Sequence, residues 1–305
     1  MNTKNISVLC SKDKFTDVQL QRLNGLGRVN FIENIGSKCP GDTEILIVPT
    51  ASHESKFKNR LSELLSLLPN LKFLVLGSSD YSFVDLGICK EKGITISFVP
   101  FYDAKSKAEF AIGLLFTGSR RILINDRMTY RRKYQPEPGF ELIGKRLGII
   151  GSGIAVEETV RLAKALGITV YTEERFEDSI RQPLDNLLHD SDLLVLFLPN
   201  SEENRNFLSK DKITQLKNEV IIVNLSDRDV VSESAMAKAL IDGKVSQYIF
   251  EAESIGKTPL KNIESALMLK PFSTDTVETK EKNIEGMVKN TEDIVLNLRF
   301  SKVYF

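Results

Sequence analysis

Over the first hundred residues, short apolar runs alternate with stretches of helical spacing. Segments 6–9, 29–32, 44–48, 71–76 and 94–99 read as strands. Leu61, Leu64, Leu65 and Leu68 fall at i, i+3, i+4 and i+7, one stripe of an amphipathic helix that Pro69 and Asn70 end. A long helical stretch follows over about 103–122, with Asp103 placed to cap its first turn and Ala108, Ala111, Ile112 and Leu115 on its apolar face. Segment 120–139 is basic, then rich in proline and glycine, and reads as a surface loop or linker. A second alternating series has strands at 147–150, 168–171, 193–198, 220–223, 248–250 and 267–269. These runs carry few polar interruptions, as a parallel sheet covered on both faces requires. Residues 275–298 read as a polar-faced helix able to pack back on the first domain. Such alternation predicts parallel β-α-β units. The expected fold class is α/β, with two Rossmann- or flavodoxin-like doubly wound parallel sheets and a cleft between their domains.

Composition narrows the classes of function. The 305 residues carry 41 basic and 41 acidic side chains, so the chain has no overall attraction to phosphate backbones or anionic membranes. No apolar run is long enough to span a bilayer, and residues 1–17 lack the pattern of a secretory signal. Cys10, Cys39 and Cys89 are few, odd in number and far apart, which points to a reducing compartment and away from a disulfide framework or a metal site. They read as small core hydrophobes. A cytoplasmic protein with no nucleic-acid or membrane partner is expected.

The most informative turn is Gly151-Ser152-Gly153, which ends strand 147–150 and opens a helix carrying Val160, Ala163 and Leu166. In a dinucleotide fold the first glycine makes the tight turn and the second lets the backbone approach a pyrophosphate. Amides at the helix start, here Ile154 and Ala155, then face the anion. The third glycine of that pattern would fall at Val156, and a valine there is expected to push the helix outward or tilt it. Glu173 and Glu174 end the next strand, where an acid accepts hydrogen bonds from a ribose 2′-hydroxyl; this favours NAD over NADP.

The run Ile143-Gly144-Lys145-Arg146-Leu147-Gly148-Ile149-Ile150-Gly151-Ser152-Gly153 resembles the cofactor turn of the D-isomer-specific 2-hydroxyacid dehydrogenase family. The similarity continues through 163–167, 187–192, Leu198-Pro199, Phe207-Leu208, and Ile222-Val223-Asn224 with Val230-Val231. Val99-Pro100 and 104–109 look like that family's crossover into its cofactor domain, and the likeness covers roughly 71–290. It implies a substrate-type, flavodoxin-like domain of 1–102 plus 275–305 and a dinucleotide-binding domain of 103–274. It also implies a small-molecule ligand in the cleft and a homodimer. Pro199 and Asn224 join the cofactor-side residues on the same grounds. In the family, an arginine binds the substrate carboxylate and carbonyl, a histidine exchanges the proton with the substrate oxygen, and a glutamate fixes that histidine's tautomer.

Carried over position by position, that set is incomplete. The arginine position holds Asp227, with Arg228 next to it; the glutamate position holds Glu253; the histidine position holds Phe272. The aspartate that usually holds the nicotinamide amide corresponds to Tyr248. A replacement acid could come from His53, just after a strand, although an exposed loop histidine is the simpler reading. His189 reads as a surface residue on a turn. Phe272 fits a role of filling a vacated cleft, or of stacking on a ring. Tyr248 could donate its hydroxyl as an acid, or simply close packing at a strand end. Gly77, Ser78 and Ser79 occupy the loop whose amides hold a substrate carboxylate in the family.

Three readings follow. In the first, a degenerate member or pseudoenzyme keeps the scaffold and some NAD affinity, while 2-oxoacid reduction is weak or lost. In the second, an active NAD(P)-dependent oxidoreductase acts on a CH–OH or keto substrate, with His53, Tyr248 or Arg228 in new roles beside Glu253. In the third, Arg131, Arg132 and Lys133 between Tyr130 and Tyr134 touch a nucleic acid, against which stands a solvated loop.

Overall fold

The structure is a computed structural model and describes residues 4–33, 39–49, 54–132, 135–254 and 256–304. The chain divides into two compact units, Met1–Tyr102 with Val277–Phe305, and Asp103–Thr276.

The first unit runs β1 (Lys4–Val8), α1 (Asp17–Leu26), β2 (Gly27–Phe31), β3 (Ile45–Val48), α2 (Glu54–Leu67), β4 (Phe73–Leu76), α3 (Leu86–Lys92) and β5 (Thr95–Phe98). Its strands pair in parallel in the order β2-β1-β3-β4-β5, one of the doubly wound orders. Strand β3 is buried at every position, and Leu61, Leu65 and Leu68 from the helical stripe join Leu46, Leu74 and Leu76 in the core.

The second unit runs α4 (Ala104–Ser119), α5 (Ile122–Tyr130), β6 (Arg146–Gly151), α6 (Ile154–Ala165), β7 (Thr169–Thr172), β8 (Ile180–Arg181), α7 (Leu184–Asp190), β9 (Leu193–Phe197), α8 (Lys210–Gln215), β10 (Val220–Asn224), α9 (Glu233–Ile241), β11 (Val245–Glu251) and β12 (Ala266–Leu269). The seven strands lie in the order β12-β11-β10-β9-β6-β7-β8, all paired in parallel. One face carries Ile150, Leu194, Leu196, Ile222, Tyr248 and Phe250; the other carries Ile149, Val195, Ile221, Val223 and Ile249. Apolar side chains on both faces explain why these strands read as continuous hydrophobic runs. The chain then returns to the first unit as α10 (Val277–Val295). There Arg22 of α1 pairs with Glu285 and Glu292, and the amides of Asn283 and Asn290 donate to the carbonyl oxygens of Gly77 and Phe98.

The structure corrects several local expectations. The segment 120–139 is not all loop: α5 occupies its first half, because Ile124 is buried and Leu123 and Met128 pack on the core. Asn125 and Glu137 also fasten the chain across it, through Asn125 Nδ2 to the Glu137 carbonyl (3.2 Å) and the Glu137 amide to Asn125 Oδ1 (3.0 Å). Asp103 precedes α4 but makes no side-chain cap; its carboxylate pairs with Lys107 Nζ at 2.8 Å instead. His189 sits in the last turn of α7 rather than on a turn, and its side chain is exposed beside Asp190.

Candidate functional site

In a doubly wound sheet the ligand lies beyond the carboxyl ends of the strands, where the strand order reverses. Here that point lies between β6 and β9, because the chain proceeds from β6 to β7 and β8 on one side and from β9 to β12 on the other. Gly151 closes β6 at φ +134°, and a Cβ there would stand 2.6 Å from the carbonyl oxygen of Phe197, so the turn admits only glycine. Gly153 precedes α6 at φ +89°, and a Cβ there would meet nothing within 4 Å. No side chain caps α6, so the amides of its first turn, including Ile154 and Ala155, remain available beside an open face. The helix adds the positive end of its dipole. Val156, in the third glycine's place, is fully buried with Val160, Ala163, Ile149 and α4 residues Ala111 and Leu115. The sequence thus spends that position on the core shared by α4 and α6.

At the end of β7, Glu173 is half-buried and Glu174 exposed. The loop carrying them is held by the Thr172 hydroxyl, which donates to the Glu174 carbonyl at 2.7 Å and bonds Ser179 Oγ at 2.7 Å. Arg181 Nε donates to the Glu173 carbonyl at 3.0 Å.

Beyond β9, β10 and β11 the polar groups bond chiefly to one another. Asn224, fully buried, donates through Nδ2 to the Tyr248 hydroxyl at 3.0 Å and to the Asp227 carbonyl at 3.4 Å, while its Oδ1 accepts from the Ser226 amide at 2.9 Å. Ser226 Oγ accepts from the Leu198 amide at 2.7 Å, and the Pro199 carbonyl accepts from Asn204 Nδ2 at 2.9 Å. Tyr248 is fully buried and stacked on Phe250 with ring centroids 4.7 Å apart. Burial pushes its phenol well above the ordinary range, against a smaller opposing effect of the Asn224 bond. A buried, protonated hydroxyl of this kind is packing, not an acid in exchange with a ligand.

Asp227 and Arg228 have structural partners. The Asp227 carboxylate accepts from the Asp229 amide at 3.0 Å, capping a single turn at Arg228–Val230, and from Asn200 Nδ2 at 3.4 Å. Arg228 places Nε (2.8 Å) and Nη2 (2.5 Å) on one oxygen of Glu233, and Nη1 on the Ser254 carbonyl at 3.1 Å. The pair borders an open hollow of about 530 Å³ lined also by Arg205, Asn206, Asp229, Val231 and Lys257. Glu253 is exposed. Phe272 is 43% exposed and meets Phe110 edge-on, centroids 5.4 Å apart. One residue that sequence reasoning passed over, Glu251, organises this loop. Its Oε1 accepts from the amides of Phe272 and Ser273, both at 2.8 Å, and its Oε2 from Ser273 Oγ at 2.7 Å. Ser106 Oγ reaches the Ser273 carbonyl from α4 at 2.6 Å. Nothing in the spacing of Glu251 marks these contacts, which span 21 and 22 residues.

In the first unit, the Gly77 amide donates to the Val48 carbonyl and Ser78 Oγ accepts from the Asp80 amide at 3.1 Å. Ser78 is buried and Ser79 half-buried, so part of this loop's amide capacity already serves the fold. His53 lies outside the described residues, as do Lys133 and Tyr134; Arg131 pairs with Glu264 at 2.8 Å. Cys89 is fully buried, while Cys10 and Cys39 are half-buried against the cores. Among the described residues no helix is long and apolar enough to cross a membrane, and no group of three or more His, Cys, Asp or Glu could hold a metal ion.

Comparison with known proteins agrees with this geometry. The family model "D-isomer specific 2-hydroxyacid dehydrogenase, NAD binding domain" matches residues 112–271, just over half of the chain. A hydroxypyruvate reductase from Blautia hydrogenotrophica is 28% identical over 252 residues, covering 76% of this chain and 78% of that protein. In structure, a D-mandelate dehydrogenase from Rhodotorula graminis superposes with a TM-score of 0.88 at 16% identity, over 99% of this chain and 98% of that one. A D-lactate dehydrogenase from Aquifex aeolicus, in complex with NAD and lactic acid, superposes at 0.77 with 22% identity, over 96% of each chain. These two likenesses speak to the fold, which is the two-domain Rossmann-type architecture.

Proposed function

Because the chain belongs to the D-isomer-specific 2-hydroxyacid dehydrogenase family, we propose that it binds a nicotinamide dinucleotide in its Asp103–Thr276 unit but has lost the family's usual reduction of a 2-oxoacid. The residues present fit the pyrophosphate and adenosine parts of that cofactor: an open, uncapped helix start at Gly153 and a carboxylate at Glu173 for the ribose. Glu173 favours NAD over NADP, since a 2′-phosphate would meet a like charge. When bound, the cofactor would supply a hydride; the chain's own groups would have to hold the 2-oxoacid and move the proton.

The observation that carries the loss is Asp227. A carboxylate stands where the family places its anion clamp, and it is fixed there by the Asp229 amide. Arg228 is a poor substitute, because three of its N–H groups are already placed on Glu233 and the Ser254 carbonyl. Phe272 offers no proton. Losing the acid costs about 10²–10⁴-fold and losing the charged clamp about 10²–10³-fold, together about 10⁴–10⁷-fold. The binding of the dinucleotide is weakened as well, since Tyr248 replaces the amide anchor. The reading with relocated chemistry finds Tyr248 buried and Arg228 paired. The test is cofactor oxidation with glyoxylate, hydroxypyruvate, pyruvate and 4-methyl-2-oxopentanoate, using NADH and NADPH in turn. No turnover above the protein-free rate is expected. Turnover with any of them at a rate typical of enzymes, on the order of 1 s⁻¹ or more, would overturn the proposal.

A further inference from the structure

The hollow beside Arg228 shares no residue with the glycine turn or with Glu173. We infer that it is an anion site, which takes the phosphate group of a small molecule, or free phosphate, on Arg205, Asn206, Arg228 and Lys257.

Three segments wall the hollow, and the bonds that hold them in place leave donors over. Residues 206–208 are stapled to 229–232: the Asn206 amide donates to the Asp229 carbonyl at 2.7 Å, the Leu208 amide to the Val230 carbonyl at 2.9 Å, and the Ser232 amide to the Leu208 carbonyl at 3.2 Å. The third segment, at 254–258, is fastened by Arg228 Nη1 to the Ser254 carbonyl and by Thr258 Oγ1 to Glu233 Oε2 at 2.6 Å. Glu233 orients Arg228 and offsets its charge. A guanidinium carries five N–H groups, and Arg228 has placed three of them, so two remain for a ligand. Arg205 stands 3.4 Å from Glu202 and 3.7 Å from Asp229, and neither contact is a hydrogen bond, so its fork is still open. Asn206 is held at φ +51°, a left-handed conformation that asparagine tolerates, and its side-chain amide has no partner among the described residues. Lys257 likewise has none.

Charge and shape then select the ligand. The two carboxylates of the lining are each set against an arginine, Glu233 against Arg228 and Asp229 against Arg205, and Lys257 is the charge left without a counterpart. Val231 is the single apolar residue of the described lining, which disfavours a ligand recognised through a hydrophobic body. A tetrahedral dianion offers several oxygens to forked guanidinium groups and a full charge to an ammonium. A planar monocarboxylate offers two oxygens and half the charge, and would leave part of this donor set unmatched. At about 530 Å³ the hollow also has room for the organic part of a phosphate ester.

The test is calorimetric titration of the full chain at low ionic strength, at pH about 8 where phosphate is the dianion, with inorganic phosphate, glycerol phosphate and, as controls, acetate and chloride. A dissociation constant below about 1 mM is expected for phosphate or its ester, with no comparable heat from either control at matched ionic strength. Tighter binding of the ester assigns the hollow to a phosphorylated small molecule, and tighter or equal binding of the free ion assigns it to phosphate itself; either supports the inference. Lys257→Gln and Arg205→Gln should each weaken binding by at least about fivefold. On the unmodified chain, phosphate at about ten times its dissociation constant should slow acylation of Lys257 at least about threefold, read by mass spectrometry, and leave exposed Lys282 of α10 unaffected. That measurement decides if the variants fail to fold. A dissociation constant above about 1 mM, equal binding of acetate, unchanged affinity in both variants or an unprotected Lys257 would overturn the inference. Binding that survives both substitutions would place the phosphate elsewhere, as at the start of α6. Phosphate bound here without NADH binding would sink the dinucleotide reading alone, and NADH binding without phosphate would sink this inference alone.

Discussion

Replacing Tyr248 by phenylalanine removes one oxygen atom and keeps the ring. Tyr248 is fully buried, its hydroxyl lies 3.0 Å from Asn224 Nδ2, and its ring stacks on Phe250. The stacked ring survives the substitution, so the change isolates the hydrogen bond. Asn224 Nδ2 keeps only the longer contact to the Asp227 carbonyl at 3.4 Å, and one of its N–H groups is left unpaired in a dry interior. A stranded buried donor costs about 1–3 kcal/mol, so a loss of about 2 kcal/mol is expected. With a urea slope of about 2–3 kcal/mol/M, the midpoint should fall by about 0.7–1 M. The assay is urea unfolding followed by circular dichroism, at neutral pH and at high pH. The phenol is raised in the folded chain by burial, so the unfolded chain releases its proton first. The stability this group contributes is complete below its ordinary pKa, near about 10, and is lost as pH rises beyond it. Tyr248→Phe should therefore be less stable at neutral pH and decline less steeply above that point. An unchanged midpoint at neutral pH would refute the claim that the β10–β11 end is closed by this bond.

Other expectations are shorter to state. Glu251→Ala strands the amides of Phe272 and Ser273 and the hydroxyl of Ser273; hydrogen exchange at those two amides should accelerate at least about tenfold while exchange in β11 stays slow. Equal rates in both proteins would mean the carboxylate does not organise the loop. Burial pushes the thiols of Cys10 to about 12 and Cys89 to about 11, so both should react slowly with disulfide reagents at pH near 8. Their contribution to stability is complete below their unfolded pKa of 9.0 and is lost as pH rises through those values; Cys89→Ala should flatten part of the alkaline decline in thermal midpoint. A wild-type curve level to pH 11 would count against it. Gly151→Ala places a methyl 2.6 Å from the Phe197 carbonyl oxygen at a left-handed φ, and should lower the thermal midpoint and cut soluble yield; a variant as stable as the parent would show that the turn has room.

The legible parts of the fold are those where burial imposes composition. Strands β9 and β10 are almost wholly buried, so Leu193–Phe197 and Val220–Asn224 announce themselves as apolar runs, and alternation with helices supplies the parallel topology. Helix α5 was hidden because its flanks are basic and proline-rich, and its existence depends on Ile124 reaching a core and on the Asn125–Glu137 bonds, none of which is local. Short helices such as α7 and α9 carry too few turns to establish a period. In the site, Gly151 and Gly153 were legible because only glycine meets the backbone demands of that turn. The positions of Asp227, Tyr248 and Phe272 could be read as departures, but their partners could not. That Asp227 caps a turn, that Tyr248 locks Asn224 and that Glu251 holds the Phe272 loop are facts of three-dimensional contact. Val156 is the reverse case: in the sequence its type reads as an obstacle, and its place in the packed face of α6 gives it a use.

In the proposed reading this scaffold keeps its nucleotide turn and, among the described residues, lacks the groups that complete hydride transfer to a 2-oxoacid. The most direct test is isotope transfer from NADH deuterated at the nicotinamide C4, incubated with concentrated protein and glyoxylate, hydroxypyruvate or pyruvate, and read by mass spectrometry of the 2-hydroxyacid. The account predicts no deuterated product above the protein-free control, even after many hours. Deuterated 2-hydroxyacid accumulating in proportion to protein, and lost in Gly153→Val, would contradict it.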